Sequence, residues 1–442
     1  MPSPTSILAH DALLEMVRTE LFGHGRSHHR DSIGLEAELF PIHRDASGAA
    51  RPVPLRSDTP GVPSISELFA RLCARHGWRL GEEGGVLSIC CGGAGSLTLE
   101  PAGQIEYSGL PMPSVPEAVD DVRNVVGLLE EEARSLGIEL MECGYSDVFD
   151  AEENGLQIRK PRYVAMDRYF GGIGPFGRKM MRATCALQIN LDFGDIRTRA
   201  RRWLLANLMA PAMNALFANS PHDHEGKRFR SFRHEIWRQA DPARTGRILP
   251  ALGEDPAAAY LRFALDARVM MVQDQGGGMS VPAERLSFAE WMMGHDQCGY
   301  PDWDDWRLHL STLFPDVRAR GWMEIRSIDM LPRRWWNVPV AIAATLLYNE
   351  ECLDAALELL EPGRRAAGAA NGHPSGWEAE YRTGCGLLAL AHEATPNGEL
   401  RADLGAYRDT FVIAGRTPGD RIGASGMTTA HRAPGVLEPD GR

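Results

Sequence analysis

The sequence predicts an α+β fold in which helices surround a largely antiparallel sheet. Runs typical of strands are concentrated in the first half of the 442-residue chain, and helical patterns fill most of the second half. The runs do not alternate regularly with helices, and this segregation favours α+β over a doubly wound α/β fold. One further strand-like run, Trp322 to Ile328, interrupts the helical half.

The strand-like runs of the first half are short and end at turn residues. In chain order they are Ser32 to Phe40, Val86 to Ile89, Ser96 to Glu100, Gln104 to Tyr107, Ile138 to Met141 and Ala183 to Phe193. Pro101 and Gly103 predict a turn between the third run and the fourth. The Gly-rich segment Gly171 to Gly177 predicts a flexible loop before the last run.

The helices are predicted from the spacing of their apolar residues. They cover Asp11 to Leu21, Ser64 to His76, Ser114 to Leu136, Arg201 to Phe217, Ala257 to Met270, Val338 to Leu360 and Trp377 to His392. Ser64 and Ser114 each precede a glutamate by three residues, which is the spacing of a helix-capping box. We therefore expect both serines to be N-caps.

The composition predicts a soluble globular protein. Hydrophobic residues make up 44% and charged residues 24% of the chain, near the globular average. The formal net charge of −12 argues against binding to nucleic acid or to an anionic membrane. Val338 to Tyr348, the longest apolar run, is too short to span a bilayer, and no secretory signal is visible. With eight scattered cysteines, these features predict a cytoplasmic protein with reduced thiols.

Polar side chains share one face in several of the strand-like runs. Glu36 and Glu38 point to the same face of the first run, because successive side chains alternate along a strand. The later runs carry, in chain order, Glu100 and Glu106, then Gln188 and Asn190, and then Glu324 and Arg326. Each pair alone is explained by a solvated strand face or by a plain ion pair. Together they are typical of one cavity over a sheet, with carboxylates for a divalent cation and an arginine for an anion.

An arginine-rich stretch follows the segment Phe217 to Pro221. It contains Arg228, Arg230, Arg233 and Arg244. A solvated basic loop and a loop that binds substrate carboxylates or phosphates both explain this pattern. The density of arginine in an acidic chain favours the second interpretation.

In their order along the chain, these motifs resemble the glutamate–cysteine ligase family of the plant and proteobacterial type, which includes the ergothioneine-pathway ligases. The matching blocks are Gly34–Glu38, Leu99–Gly109, Met180–Met181 with Gln188–Asp192, Phe217–Pro221, Ile236–Trp237, Arg244–Gly246, Phe314–Arg318 and Met323–Arg326. The resemblance implies the glutamine synthetase/glutamate–cysteine ligase-like fold, with a funnel-like antiparallel sheet around the site. It also implies one catalytic domain over residues 1–414 with a helical second half. The composition after Ala414, rich in Gly, Pro, Arg and Thr, predicts a flexible tail over residues 415–442.

The activity that the resemblance implies is Mg²⁺-dependent and ATP-dependent formation of γ-glutamylcysteine from L-glutamate and L-cysteine through γ-glutamyl phosphate. Phosphoryl transfer between anions needs metal ions and cationic side chains, which agrees with the residues present. By resemblance, the metal ligands are Glu36, Glu38, Glu100, Glu106 and Glu324. The catalytic residues are Arg326, which would neutralise the transferring phosphate, and Glu324 beside it. The nucleotide- and substrate-binding residues are Gln188, Asn190, Arg233 and Arg244, of which the two arginines would bind the glutamate carboxylates.

Other interpretations of the sequence remain open. A ligase of the same fold could join glutamate, or another carboxylate, to a different amine, and a silent relative would only bind nucleotide or a partner. The sequence also leaves open whether the product enters glutathione, ergothioneine or a specialised metabolite. Arg182 lies one position before the arginine of the plant proteins, where this chain has Ala183, so no catalytic role is assigned to it.

Overall fold

The computed structural model describes residues 8–23 and 31–420, except residues 84, 147, 149–150, 252, 275, 296–297 and 370–375. Most of the predicted flexible tail, residues 421–442, therefore lies outside the described residues. The single catalytic domain over residues 1–414 stays a prediction. No helix within the described ranges is long and apolar enough to cross a membrane.

The strands are short except for the first, which is twelve residues long. They are β1 Ile33–Arg44, β2 Ala50–Pro52, β3 Arg79–Glu83, β4 Val86–Cys90, β5 Ser96–Leu99, β6 Ile105–Ser108, β7 Ile138–Met141, β8 Leu187–Leu191, β9 His222–His224, β10 Lys227–Phe229, β11 Val272–Gln273, β12 Met279–Ser280, β13 Val317–Ala319 and β14 Met323–Ile325. Each predicted run overlaps one of these strands. The prediction missed β2, β3, β13 and the two-strand ribbons β9–β10 and β11–β12.

Sixteen α-helices lie in the described residues, seven in the first half of the chain and nine in the second. They are α1 His10–Met16, α2 Ile65–His76, α3 Val115–Ser135, α4 Ala151–Asn154, α5 Pro161–Gly171, α6 Phe176–Ala183, α7 Arg199–Leu216, α8 Phe232–Ala240, α9 Pro242–Thr245, α10 Pro256–Asp266, α11 Phe288–Met292, α12 Trp303–Leu310, α13 Asn337–Tyr348, α14 Glu350–Ala369, α15 Trp377–Ala394 and α16 Glu399–Tyr407. The Ser64 and Ser114 hydroxyls accept hydrogen bonds from the amides of Glu67 and Glu117, which confirms both predicted N-caps.

Three of the predicted elements were wrong in extent. The helix expected over Ala257 to Met270 ends at Asp266, because Ala267 has an extended backbone. The single helix expected over Val338 to Leu360 is two helices, because Asn349 has an extended backbone and ends α13 before α14 begins. The loop expected over Gly171 to Gly177 is shorter, since α5 includes Gly171 and α6 begins at Phe176.

One large antiparallel sheet organises the described part of the chain. The strands follow the order β13-β14-β8-β1-β6-β5-β4-β3, with β2 and β7 paired to the second half of β1. The neighbouring strands of this sheet are antiparallel in every pair. Together with the helices around it, this sheet confirms the α+β prediction.

One face of the sheet is apolar and buried. Its side chains include Leu35, Ala37, Leu97, Ile105, Tyr107, Leu187, Ile189, Met323 and Ile325. Helix α3 packs against β1 and β6, and α13 packs against β8. Burial of this face is the main stabilisation that holds the strands in register, because a one-residue slip would expose these side chains.

The helices α5, α6 and α8 are held together by a second apolar cluster. Its buried members include Met166, Tyr169, Phe170, Met180, Phe232, Ile236 and Trp237. This cluster places the polar side chains of α5 and α8 near the polar face of the sheet.

Candidate active site

The face opposite the apolar side of the sheet carries most of the predicted site residues. Glu38 lies directly opposite Glu106 of β6, and Glu36 lies directly opposite Gln188 of β8. Asn190 of β8 is opposite Glu324 of β14. Side chains directly opposite one another across antiparallel strands have Cβ atoms about 4.5–5.5 Å apart. The register therefore brings these residues of four strands onto one polar face, which we call the acidic face.

Glu100 joins the acidic face through the turn between β5 and β6. The Gly103 amide donates to the Glu100 carbonyl at 2.9 Å, and Gly103 has φ = +91°, which favours glycine at that position. Gln104 is buried, and its side-chain amide donates to the carbonyl of Thr184 at 3.3 Å. The turn is thus tied to the segment that precedes β8.

Amide groups hold two of the carboxylates. Gln188 Nε2 donates to Glu38 Oε1 at 2.7 Å, and the Ala186 amide donates to Glu38 Oε2 at 2.7 Å. Asn190 Nδ2 donates to Glu36 Oε1 at 2.9 Å. The predicted Gln188 and Asn190 are therefore direct hydrogen-bond partners of the carboxylates and orient them.

The carboxylates of the acidic face repel one another. Burial, followed by the charge of Glu100, raises the pKa of Glu38 to about 7. Burial also raises the pKa of Glu100. Burial and the charges of Glu100, Glu36 and Glu38 raise the pKa of Glu106 well above its ordinary value. Raised carboxyl pKa values show that the folded protein holds these negative charges at a cost in free energy.

Glu324 is in a different environment, because arginines surround its carboxylate. Arg318 donates to both Glu324 oxygens at 2.6 and 3.0 Å, Arg320 donates at 3.1 Å, and Arg326 donates at 3.0 Å. Burial alone would raise the pKa of Glu324, but the charges of Arg318 and Arg326 hold that pKa well below its ordinary value. Glu324 is therefore a charged anchor for arginines in this structure.

Arg326 and Arg233 lie at the centre of the site. Arg326 Nη1 donates to Gln188 Oε1 at 2.7 Å, and Arg233 Nη2 donates to the Arg326 carbonyl at 2.8 Å. Both positive charges act on the pKa of Glu38. Both Nε–H groups are buried and have no hydrogen-bond partner in the described part of the chain. A buried unpaired donor costs about 1–3 kcal/mol, so both groups suit an anion that binds between the acidic face and α8.

Further residues near the acidic face had no assigned role in the sequence prediction. Arg162 and Tyr163 of α5 both interact electrostatically with Glu100, and burial followed by that charge raises the pKa of Tyr163 to about 12. Trp322 Nε1 donates to Asn190 Oδ1 at 3.0 Å. Arg318 lies within a block that matches the family and Trp322 lies directly before one, so the sequence could have indicated both residues. Nothing in the sequence predicted that α5 lies over the sheet.

Arg244 is placed differently from what the resemblance implied. Its side chain is fully buried, and its guanidinium donates to Asp241, to Thr312 and to the carbonyl of Arg268. The guanidinium also lies 5.3 Å from the ring of Tyr169. Every nitrogen of Arg244 is engaged by protein groups, so in this structure the residue supports the fold around α9 and does not contact the acidic face.

The donor set partly fits the divalent cation that the family implies. Glu36, Glu38, Glu100 and Glu106 offer carboxylate oxygens, the ligands that Mg²⁺ prefers, and a cation would remove their mutual repulsion. Glu324 does not fit as a ligand while three guanidinium groups hold it, and β8 separates it from Glu36. Among the described residues, no three His, Cys, Asp or Glu side chains are already arranged to hold one ion. The four carboxylates would therefore adjust their side-chain positions on binding.

Comparisons with known proteins agree with the motifs. A glutamate–cysteine ligase of Brassica juncea chloroplasts is 33% identical over 302 residues, which cover 67% of this chain and 58% of that protein. The glutamate–cysteine ligase EgtA of Mycobacterium tuberculosis is 32% identical over 364 residues, which cover 79% of this chain and 76% of that protein. This chain thus spans less than two thirds of the plant relative's length.

A solved glutamate–cysteine ligase of Francisella tularensis in complex with AMP aligns with 90% of this chain and 85% of its own, at a TM-score of 0.48 and 11% identity. The profile of the glutamate–cysteine ligase family 2 (GCS2) matches residues 33–393, which include the whole acidic face and both central arginines. This chain therefore belongs to glutamate–cysteine ligase family 2.

Proposed function

We propose that the protein is an ATP-dependent ligase that joins L-glutamate to L-cysteine through a γ-glutamyl phosphate intermediate. The observation that carries this proposal is the juxtaposition of four carboxylates with two buried arginines whose Nε–H groups have no partner among the described residues. A cation site beside an anion site is what transfer of a phosphoryl group between two anions requires. The family membership supports the choice of substrates.

In the first step, the γ-carboxylate of glutamate attacks the γ-phosphorus of ATP, and ADP leaves. Arg326 would neutralise the transferring phosphoryl group, and its hydrogen bonds to Glu324 and Gln188, which fix the guanidinium, support this role. Arg233 would bind a carboxylate of glutamate; its unpartnered Nε–H supports this role, and its guanidinium lies 4.4 Å from the Trp237 ring. Mg²⁺, when bound by the carboxylates of the acidic face, would neutralise charge on the phosphates of ATP.

In the second step, the amine of cysteine attacks the acyl carbon, phosphate leaves, and the nitrogen loses a proton. Arg162 and Tyr163 are candidates for contact with this second amino acid, because both lie on α5 near Glu100. Asp167 and Glu152 pair with Arg182 nearby and hold α6 against α5 and the segment around α4. The helices over the sheet would exclude water from the acyl phosphate, whose hydrolysis would waste ATP.

The proposal is tested by measuring ADP release with each substrate omitted in turn. Full turnover should require glutamate, cysteine, ATP and Mg²⁺ together, and mass spectrometry should detect γ-glutamylcysteine. A panel of other amines in place of cysteine tests the acceptor. Release of ADP without any amino acid would overturn the ligase proposal, and faster turnover with a different amine would replace cysteine as the acceptor.

A further inference from the structure

A second cavity lies away from the acidic face, on the outer side of α8. Its volume is about 1080 Å³, the size of a small-molecule site. Strand β10, the segment 242–249, Asp316 and the first turn of α15 form most of its other walls. None of the predicted metal ligands lines it. Arg228 and Arg230 of the arginine-rich stretch, which do not belong to the acidic face, line this cavity.

Basic side chains and indole rings dominate the cavity wall. The basic residues are Lys227, Arg228, Arg230, Arg238 and Arg247, and the acidic residues are Glu235, Asp316 and Glu380. Trp237 and Trp377 provide two aromatic surfaces, and Trp377 Nε1 is buried without a partner in the described ranges.

The charges at the two ends of the cavity differ in how firmly they are engaged. At the hairpin, Arg228 pairs at 2.8 Å with Asp223, whose side chain is 71% exposed, so a ligand can displace this partner at little cost. Lys227 is exposed beside it. At the inner end, Glu235 is already paired with Arg238 at 3.2 Å. Burial raises the pKa of Glu380 to about 7, which reduces its negative charge at neutral pH. The hairpin end is therefore the cationic end.

Two wall residues of this cavity also contact the catalytic arginines. The Trp237 ring supports the Arg233 guanidinium at 4.4 Å, and the Asp316 carbonyl accepts a hydrogen bond from the Arg326 amide at 2.8 Å. Asp316 is buried between the two sites, and its carboxylate interacts with Arg247 on one side and with Arg233 on the other. A ligand that shifts Trp237 or Asp316 would move the arginines of the acidic face.

We propose that this cavity is a second binding site for a small anion that carries carboxylate or phosphate groups, and that its occupation alters turnover through Trp237 and Asp316. The anionic groups bind Lys227 and Arg228 at the hairpin, and an apolar or planar part packs against the two indoles. The effect on turnover rests on the proposed function, whereas binding at the cavity does not.

Calorimetric titration of the full chain with pyrophosphate and, separately, with citrate tests the binding site. The wild-type protein should show two binding events with at least one of these probes, and the tighter probe identifies the chemical class. Lys227→Glu should weaken one event by roughly tenfold. Arg79→Glu, the same charge reversal on the exposed edge strand β3, should leave both events unchanged. A Lys227→Glu protein that binds both probes as the wild type does would overturn the site.

Turnover measurements test the coupling separately. Saturating probe should change wild-type turnover by at least about twofold, and the Lys227→Glu protein should lose that response. Equal responses in the two proteins, or no response in the wild type, would overturn the coupling. Because binding is measured without turnover, failure of the proposed ligase activity would leave the binding result intact.

Discussion

Removal of the Arg326 side chain tests the proposed catalytic centre most directly. Arg326→Ala deletes the hydrogen bonds to Gln188 Oε1 at 2.7 Å and to Glu324 Oε2 at 3.0 Å, together with one unpaired Nε–H. Removal of one preorganised donor to a developing negative charge typically costs about 10²–10³-fold in turnover. A full guanidinium charge should cost more, and we expect a loss of about 10³-fold or greater.

The same variant should keep most of its stability. Glu324 retains Arg318 and Arg320, so its carboxylate does not become an unpaired buried charge. The loss should therefore be about 1–2 kcal/mol in the free energy of unfolding. This is below the roughly 3–5 kcal/mol that follows when a buried ion pair is broken outright. Urea denaturation followed by circular dichroism measures this change in the free energy of unfolding.

ADP release in a coupled assay measures the loss of turnover in Arg326→Ala, and Arg320→Ala is the matched control. Arg320 also donates to Glu324, but its side chain is 49% exposed, and its loss should reduce turnover by about tenfold at most. Retention of a tenth or more of the activity in Arg326→Ala would refute the assignment. Equal losses in the two variants would show that only the charge around Glu324 matters.

Three further variants separate activity from stability. Glu106→Gln should abolish turnover. It should also raise the melting temperature of the metal-free protein, because it removes a buried charge that the charges of Glu100, Glu36 and Glu38 repel. A lower melting temperature in a thermal scan would contradict this repulsion. Arg244→Met should lower the free energy of unfolding, measured in urea, by about 3–5 kcal/mol, because Asp241 loses its buried partner. A variant of unchanged stability with a raised KM for glutamate would instead show that Arg244 binds this substrate. Burial raises the pKa of Glu380 to about 7, so protonation of this carboxyl favours the folded state. The resulting stabilisation is present at pH 4.5 and is lost as the pH rises through 7. Glu380→Gln should therefore flatten this part of the pH dependence of the free energy of unfolding, and an unchanged profile would contradict the raised pKa.

Alternation along the strands made the acidic face predictable. Glu36 and Glu38 share a face in any straight strand, and Gln188 and Asn190 do so for the same reason. Pairing between distant strands could not be derived from spacing alone, and the family resemblance implied only that the strands enclose one site. The register then placed Glu38 opposite Glu106 and Glu36 opposite Gln188.

The environment of each arginine could not be predicted from the sequence. Arg233 and Arg244 belong to the same stretch, but Arg233 lies near Glu38 while Arg244 is enclosed by Asp241 and Thr312. Their difference depends on how α8 and α9 pack. Glu324 illustrates the same point, because its three arginine partners lie in β13, in the turn before β14 and directly after β14. Local patterns identified the charged residues, and tertiary packing decided their partners.

The long strand β1 makes the fold and the site vulnerable to the same event. It pairs with β6 and β8 through its first half and with β2 and β7 through its second half. If Ala37 were deleted while Glu38 and the following residues kept their register, the residues before it would shift by one position. Glu36 would then point into the core, and Leu35 would lie on the acidic face. Strand β1 can therefore accept substitutions more readily than a change in length. An insertion or deletion within it would have to be matched in β6 and β8 at the same time.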